Sequence, residues 1–471
     1  MKKKNFKIYI AVFSITLLLV SCKVTQTYTP PEVKQELQYE LYRDVSTNDT
    51  TTLAHLPWQQ LFTDAALQAL IHKALANNFD LKIAVERINE ATALYRQSGL
   101  AFLPSLNGSL SAGVNRSSRS NTNAAGFDIN TTNTPVQLGV NASWEIDIWG
   151  KLKSAEQAAL ARLLQTDAAK RAVQTQIIAN MASFYYRLLA LDQNLAITEA
   201  AIAIRQEDVQ TMKALKEAAI VTGAAVVQSE ASLYAAQVSL PDIRRSIREI
   251  ENMMSILAGE APETIARSSL DAQKIITDLK TGVPLQLLSN RPDVQVAEFA
   301  FRTAFENANI ARASFYPNLN ITAALGISSL RFENLFKNSP LFYNIGGNLT
   351  QVIFNRGALK TQLKVAESQQ LQALYAFQQS FLNAGKEVSD ALYAYETGVE
   401  KQQTRSLQIA SLQKAVEFNK ELLKYSSATN YTDVLMSEQN LLQAQLAAVN
   451  DKLQQLQAVV ELYQALGGGS N

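Results

Sequence analysis

Apolar and polar residues alternate with a period of two in four places along the chain. In 104–115, Leu106, Gly108, Leu110, Ala112 and Val114 fall on one side and Asn107, Ser109, Ser111, Gly113 and Asn115 on the other. After a Ser/Asn/Thr-rich stretch, Val136, Leu138, Val140, Ala142 and Trp144 share one face; Gln137, Gly139, Asn141, Ser143 and Glu145 share the opposite one. From Pro317, Leu319, Ile321, Ala323, Leu325 and Ile327 alternate with Asn320, Thr322, Ala324, Gly326 and Ser328. Tyr343, Ile345, Gly347 and Leu349 then alternate with Asn344, Gly346, Asn348 and Thr350. Period two specifies strand, so the pattern predicts two β-hairpins, over 104–149 and 317–355. Strands of about ten residues with one apolar face, one small polar face and aromatics at their ends fit a bilayer crossing, with lipid on one side and water on the other. Four strands cannot close a barrel, and an unpaired edge cannot sit in hydrocarbon. Such strands would have to be shared among several copies of the chain.

The remainder reads as helix. Leu61, Leu67, Leu70, Ile71, Ala74 and Leu75 carry helical spacing from Trp58 to Leu75. Asn77 and Asn78 break it, and Asp80 is placed to favour the start of the next helix through its side-chain oxygen and the helix dipole. From Leu152 the chain has no Pro and one Gly, Gly223, before Pro241. About 70 helical residues make a rod of roughly 100 Å, a length that suggests a coiled coil or a spanning structure. The pattern loosens at 218–225. Leu233, Ala236, Leu240, Ile243, Ile247, Ile250, Met254 and Leu257 then form a coiled-coil seam. Pro241 lies inside that seam, where it should kink the helix. Asn290-Arg291-Pro292-Asp293 opens another helix, with Pro in the first turn and an acid at the positive end. Asn355-Arg356-Gly357 leads from the second hairpin into a second rod of about 70 residues. That rod turns near 426–431 and returns along Leu442, Leu446, Val449, Leu453, Leu456, Val460 and Tyr463 before Gly467-Gly468-Gly469.

The two halves are copies. Asn77 and Asn290, Asp80 and Asp293, Ala84 and Ala297, Phe102 and Phe315, and Pro104 and Pro317 all stand 213 apart. Beyond the hairpins the offset falls to 208, as in Tyr185 and Tyr393, Val226 and Val434, Ser229 and Ser437, and Leu233 and Leu441. The expected organisation is a signal peptide over 1–21, an arm over 22–56, a first repeat over 57–259, a linker over 260–283 and a second repeat over 284–471.

A net charge of +1 gives no electrostatic argument for nucleic acid. The only histidines are His55 and His72, and the single cysteine is Cys22. No phosphate loop, nucleophile elbow or metal-ligand spacing appears, so neither an enzyme nor a bound cofactor is expected. Lys2, Lys3, Lys4 and Lys7 precede an apolar run of about 13 residues, too short for a comfortable transmembrane helix. It ends Leu19-Val20-Ser21-Cys22, the pattern of a bacterial lipobox, in which the thiol accepts a lipid and becomes the new N-terminus. Lys23, not Asp, follows, so nothing argues for retention at the inner membrane. A single lipidated terminus anchors without spanning.

Five stretches together resemble the TolC/OprM-like outer-membrane efflux factors, in their lipid-anchored branch. They are Trp58, Phe62, Asp64, Leu67, Leu70, Ile71, Ala74, Leu75, Asn78 and Asp80-Leu81; Trp144-Glu145-Ile146-Asp147-Ile148-Trp149-Gly150-Lys151; Leu287-Leu288-Ser289-Asn290-Arg291-Pro292-Asp293 with Ala297-Glu298; Asn430-Tyr431-Thr432-Asp433-Val434-Leu435; and Tyr463 through Gly469. The resemblance implies a mainly helical chain whose four strands join a 12-stranded barrel in a homotrimer, continued by an α-helical coiled-coil tunnel through the periplasm. It further implies a periplasmic adaptor and an inner-membrane pump of the resistance-nodulation-division type as partners, and drugs, metals or other small molecules as cargo. The chain would be a passive exit duct in the outer membrane of a Gram-negative-type bacterium.

On that reading Leu106, Leu110, Val136, Leu138, Val140, Leu319, Ile321, Leu325, Ile345 and Leu349 face lipid. Asn107, Ser109, Asn141, Ser143, Asn320, Thr322, Asn344 and Asn348 face the lumen. Trp144, Trp149, Phe102, Phe315 and Phe354 form an inner aromatic belt and Phe332, Phe336 and Phe342 an outer one. The helix turns, with Ala218, Ala219, Thr222, Gly223 and Ala225 in one and Ser427, Asn430, Tyr431 and Asp433 in the other, form the gate and the adaptor-docking tips. Departures from the family pattern fall at Ala219 and Ser427, where Gly is common, at Ala225, where Asp is frequent, and at Ser470, where an aromatic is usual. The rival reading is a lipid-tethered periplasmic coiled-coil scaffold without a pore, which would not need an apolar face on all four strands.

Lipidation is directly testable. Cys22→Ala is expected to abolish labelling by a fatty-acid analogue while trimers still form; persistent labelling would remove the anchor.

Overall fold

The computed structural model describes residues 24–31, 57–116, 132–274, 291–337, 341–425 and 431–468. Eight α-helices and six strands are described: α1 (Trp58–Leu61), α2 (Ala65–Asn77), α3 (Phe79–Leu100), β1 (Ser105–Ala112), β2 (Asn115–Arg116), β3 (Thr132–Asn133), β4 (Val136–Ile146), α4 (Lys151–Glu217), α5 (Gly223–Leu257), α6 (Pro292–Ala313), β5 (Asn318–Ser329), β6 (Leu341–Thr350), α7 (Ala358–Tyr425) and α8 (Tyr431–Ala465). The two long rods are 67 and 68 residues, each followed by a 35-residue helix. Helix α5 runs on through Pro241. Contacts divide the chain into two compact units, each drawing on both repeats.

The first unit holds the described residues of 24–31, 88–165 and 298–376. Its main sheet is antiparallel, in the order β1-β4-β5-β6; β2 and β3 pair separately. Residues 24–31, expected within an extended arm, lie extended against α6. The Gln26 amide donates to Asn309 Oδ1 and Asn309 Nδ2 donates back to the Gln26 carbonyl, both at 3.0 Å. Tyr28 sits edge-on to Phe305 at 5.5 Å with the Arg302 guanidinium 5.2 Å from its ring centre.

The second unit holds 57–87, 166–297 and 377–468 where described. Its core joins α1 and α2 to the middle of α4 (Ile178, Met181, Tyr185, Leu188, Leu189), to α5 (Ile250, Met254), to α7 (Phe381, Val388) and to α8 (Leu456, Val460, Tyr463). Burying these side chains is the main stabilising term of the unit. The seam residues Leu233, Ala236, Ile250 and Met254 are buried, as are Val449, Leu456, Val460 and Tyr463.

Three details differ from the sequence reading. The helix expected from Trp58 to Leu75 is two helices: the chain leaves helical geometry at Phe62, and Asp64 caps α2, accepting from the Ala66 amide at 2.8 Å. The cap of α3 is Asn78, whose Oδ1 accepts from the Leu81 amide at 3.0 Å; Asp80 lies in the first turn, where it serves the helix dipole alone. The stretch 260–274, expected as linker, is docked. Arg267 forks onto Asp192 at 2.5 and 2.9 Å and also reaches Glu251, so one guanidinium ties this stretch to both α4 and α5. The signal peptide, Cys22, His55, residues 275–283, Ser427, Asn430 and Ser470 lie outside the described residues.

Asp64 is a hub as well as a cap. Its Oδ2 accepts from Tyr185 Oη at 2.9 Å, from Gln273 Nε2 at 2.7 Å and from Ser268. Burial pushes its carboxyl up, but hydrogen bonds from Ser268, Gln273, Tyr185 and the Ala66 amide outweigh it and hold the group below its ordinary value. A depressed folded value means the stabilisation is present above the ordinary carboxyl range, about pH 4, and is lost as pH falls through the folded value. Asp64→Ala should cost about 2–4 kcal/mol from the lost cap and the lost acceptor shared by Tyr185, Ser268 and Gln273, read by denaturant unfolding; the difference from the parent should shrink in acid.

Candidate functional site

The sheet register sorts the strand residues by chemistry. Leu110 pairs with Leu138, Leu138 with Ile327, Val140 with Leu325, Trp144 with Ile321, Leu319 with Leu349 and Ala323 with Ile345. Directly paired residues share a face, so Leu106, Leu110, Val136, Leu138, Val140, Leu319, Ile321, Leu325, Ile345 and Leu349 occupy one side. Asn107 pairs with Asn141, Ser143 with Thr322, Asn320 with Asn348 and Ala324 with Asn344, which puts the Asn/Ser/Thr set, including Ser109 opposite Gly139, on the other. Much of the apolar face is bare: Leu106, Leu110, Tyr343, Ile345 and Leu349 are each more than 60% exposed. Among the described residues no helix is long and apolar enough to cross a membrane.

Phe342 departs from the aromatic belt expected for it. It pairs with Gly326 on the polar face, and its ring lies 2.8 Å from where a Cβ of Gly326 would stand and 3.3 Å from that of Gly139. Two glycines side by side on β4 and β5 leave bare backbone, and the ring from β6 fills the gap.

Below the sheet the strands are tied into helix by their polar tips. Trp144 Nε1 donates to the Phe102 carbonyl and Trp149 Nε1 to the Pro317 carbonyl, each at 2.8 Å; Trp149 also packs on Tyr316 at 5.0 Å. Asp147 caps α4, its carboxylate accepting from the Leu152 and Lys153 amides at 3.1 and 2.8 Å. Gly150 takes a φ of +75°, and a Cβ there would press on the Thr25 side chain at 3.2 Å.

In the second unit the turn from α4 to α5 closes as a Schellman motif. The Ile220 amide reaches the Leu215 carbonyl and the Ala219 amide reaches that of Lys216, both at 2.9 Å. Ala219 therefore sits at φ +58°, the left-handed position that glycine fills without strain. This gives a physical reason for the Gly that the resemblance leads one to expect here. Ala218 is exposed beside it, Thr222 precedes α5 without a side-chain cap bond, Gly223 opens the helix, and Ala225 is half-buried. The ends of both helical hairpins meet in one cluster of Met212, Val226, Tyr431 and Val434, with Ala225 packed against it. The Tyr431 and Ser229 hydroxyls are 3.0 Å apart, and burial pushes the phenol up to about 12. Asp433 is exposed in the first turn of α8.

The sequence reading missed Ser229, Asp208 and Glu438 at this contact. A usable signal existed: Arg205 interrupts the buried run Ile202, Val209, Met212 at helical spacing. Among the described residues no group of three or more His, Cys, Asp or Glu side chains is arranged to hold a metal; His72 packs edge-on against Trp58 at 4.9 Å.

The chain is 28% identical over 467 residues to the cation efflux system protein CusC of Escherichia coli K12, with 97% of this chain and 98% of CusC covered. It is 28% identical over 459 residues to the probable efflux pump outer membrane protein TtgC of Pseudomonas putida KT2440, covering 96% and 93%. A crystal structure of CusC superposes with a TM-score of 0.83 at 26% identity over 95% of this chain and 100% of that one. The open-state outer membrane channel MtrE of Neisseria gonorrhoeae gives 0.82 at 26%, over 96% and 99%. These neighbours are outer-membrane channels in which a trimeric β-barrel continues into a helical barrel, the setting in which a four-stranded sheet with an apolar face finds partners for both its edges. The sequence pattern of the outer membrane efflux protein family matches residues 70–260 and 283–468, one stretch in each repeat, and the chain belongs to that family.

Proposed function

We propose that the chain is a lipid-anchored exit duct whose sheet lines a water-filled bore with its Asn/Ser/Thr face and meets lipid with its Leu/Ile/Val face. The observation that supports this facing is the register. It segregates the two chemistries on four strands while leaving the outer edges of β1 and β6 unpaired within the chain. Three copies joined edge to edge close a barrel and leave no free backbone in the bilayer.

Cys22 is the anchor, and residues 24–31 carry the chain from it onto α6. The hairpin ends are the gate and the docking surface for a periplasmic adaptor. They carry Ala218, Ala219, Thr222, Gly223 and Ala225 on one hairpin and Ser427, Asn430, Tyr431 and Asp433 on the other. The adaptor joins the duct to an inner-membrane pump of the resistance-nodulation-division type. Relatives named for cation, antibiotic and toluene efflux make small ions and small organic molecules the cargo classes to test first. The duct itself supplies no energy; opening follows from shifts of packed helices.

The facing is tested by charge. Leu138→Arg or Ile321→Arg places a cation near mid-bilayer at about 2–4 kcal/mol per copy, three times per trimer, and should block insertion; Asn141→Arg should insert as the parent does. Equal insertion of both classes would refute the assignment.

The turns are tested by bulk. Ala219→Trp and Ser427→Trp should leave trimers and insertion intact but abolish export and adaptor cross-linking, whereas Ala219→Gly should keep both and stabilise the turn by about 1 kcal/mol. Normal export by the Trp variants would remove the docking role.

A further inference from the structure

Two carboxylates face each other where the helical hairpins meet. Asp208 lies on α4 one turn from Met212, and Glu438 lies on α8 one turn from Val434, both at the edge of the cluster that joins the hairpin ends. Asp208 Oδ2 and Glu438 Oε2 are buried without a hydrogen-bond donor. Lys420 Nζ, on α7, pairs with the other oxygen, Glu438 Oε1, at 2.5 Å. The Arg205 guanidinium is engaged by the Ser232 carbonyl at 2.6 Å. The charged and titratable groups around the pair are Arg205 and Glu207 on α4, Lys420 on α7 and Tyr431 on α8. Helix α5 presents the Ser229 and Ser232 hydroxyls and Glu230, which pairs with Lys213 at 2.9 Å.

Facing acceptors with no donor between them are costly, and two buried like charges more so. The partner they lack is small. With the Lys420 ammonium already beside Glu438, a single proton satisfies the pair as an O–H···O⁻ bond. We propose that Asp208 and Glu438 share one proton, and that this proton latches the two hairpin ends together. When it is bound, the α4–α8 contact is hydrogen-bonded and Tyr431 stays seated on Ser229. When it leaves to solvent, two carboxylates repel across a desolvated seam and the ends loosen. This rests on the reading of the hairpin ends as the gate, and adds to it a gate that responds to the pH around it.

The direction follows from the environment. Burial, then the charge and hydrogen bond of Glu438, push the Asp208 carboxyl up to about 7, against the opposing pull of Lys420 and Arg205. A folded value above the ordinary one means the latch is fully set below about pH 4 and is lost as pH rises through about 7.

The test is amide hydrogen exchange on the full-length trimer across 205–212 and 431–441 at about pH 5.5 and about pH 8, corrected for intrinsic exchange. Protection in the parent should fall about tenfold or more at the higher pH. Asp208→Asn carries a permanent donor and should hold the protected state at both pH values. Glu438→Gln should do the same and stands in if the first variant assembles poorly. Protection that does not change with pH in the parent, or that falls equally in both variants, overturns the latch. Single-channel conductance over the same range reads the gate separately. Loosening accompanied by unchanged conductance would overturn the gate reading and leave the shared proton standing.

Discussion

A backbone edge in hydrocarbon has nothing to bond to, and this chain offers two such edges, β1 and β6, on a sheet whose apolar face is largely bare. No rearrangement within four strands removes them. The constraint dictates oligomerisation before any contact between copies is considered. On the proposed facing it also accounts for the polar face, because a sheet closed among three copies would enclose space too wide for side chains to fill and would have to be wettable inside. The tryptophans that donate to Phe102 and Pro317 carbonyls satisfy backbone groups where strand gives way to helix, the other place where the ladder runs out of partners.

The duplication is visible in chemistry as well as in spacing. Asn78 Nδ2 donates to the Leu257 carbonyl at 2.9 Å, and Arg291 Nη1 donates to the Ala465 carbonyl at 2.8 Å. Asn78 and Arg291 stand 213 apart, and Leu257 and Ala465 stand 208 apart, so these are the same contact in the two repeats made by different side chains. Each ties the start of a shorter helix to the last carbonyls of a long hairpin, where orphan acceptors need a donor. Gly259 and Gly467 follow at matching positions, both at φ +73°, and both leave room for backbone: a Cβ would stand 2.7 Å from the Asn77 carbonyl oxygen in one case and 3.2 Å from Arg291 Cα in the other. The second repeat has gone further. Its guanidinium also holds Asp293 and Glu387, at 2.8 and 2.6 Å, a buried cation with both neighbours paired.

What could be read in the sequence was what periodicity encodes. Alternation over 104–115 and 136–145 set strand and face together, and unbroken helical spacing marked both rods to within a few residues. What could not be read depends on residues far apart in the chain. Nothing near Asp64 announces that Tyr185, Ser268 and Gln273 converge on it, and Asp208 and Glu438 look like ordinary surface charges until two hairpins bring them together. Caps were misplaced by two residues at α3 because Asn78 and Asp80 are both good N-terminal residues, and only the backbone path decides between them.

The ring of Phe342 over Gly326 and Gly139 settles a question that alternation leaves open. A pattern of period two fixes only the parity of a strand: sliding β6 along β5 by two residues, in either direction, would return every Leu and Ile to the same face. Such a slip would set the ring against Ala324 or Ser328 in place of bare backbone. The slot thus acts as a key, telling apart alignments of equal hydrophobic merit, and it needs three residues on three strands to agree. A methyl group on Gly326 would fall 2.4 Å from the Leu138 carbonyl oxygen, so the wall of the sheet is built around an absence that the chain must keep.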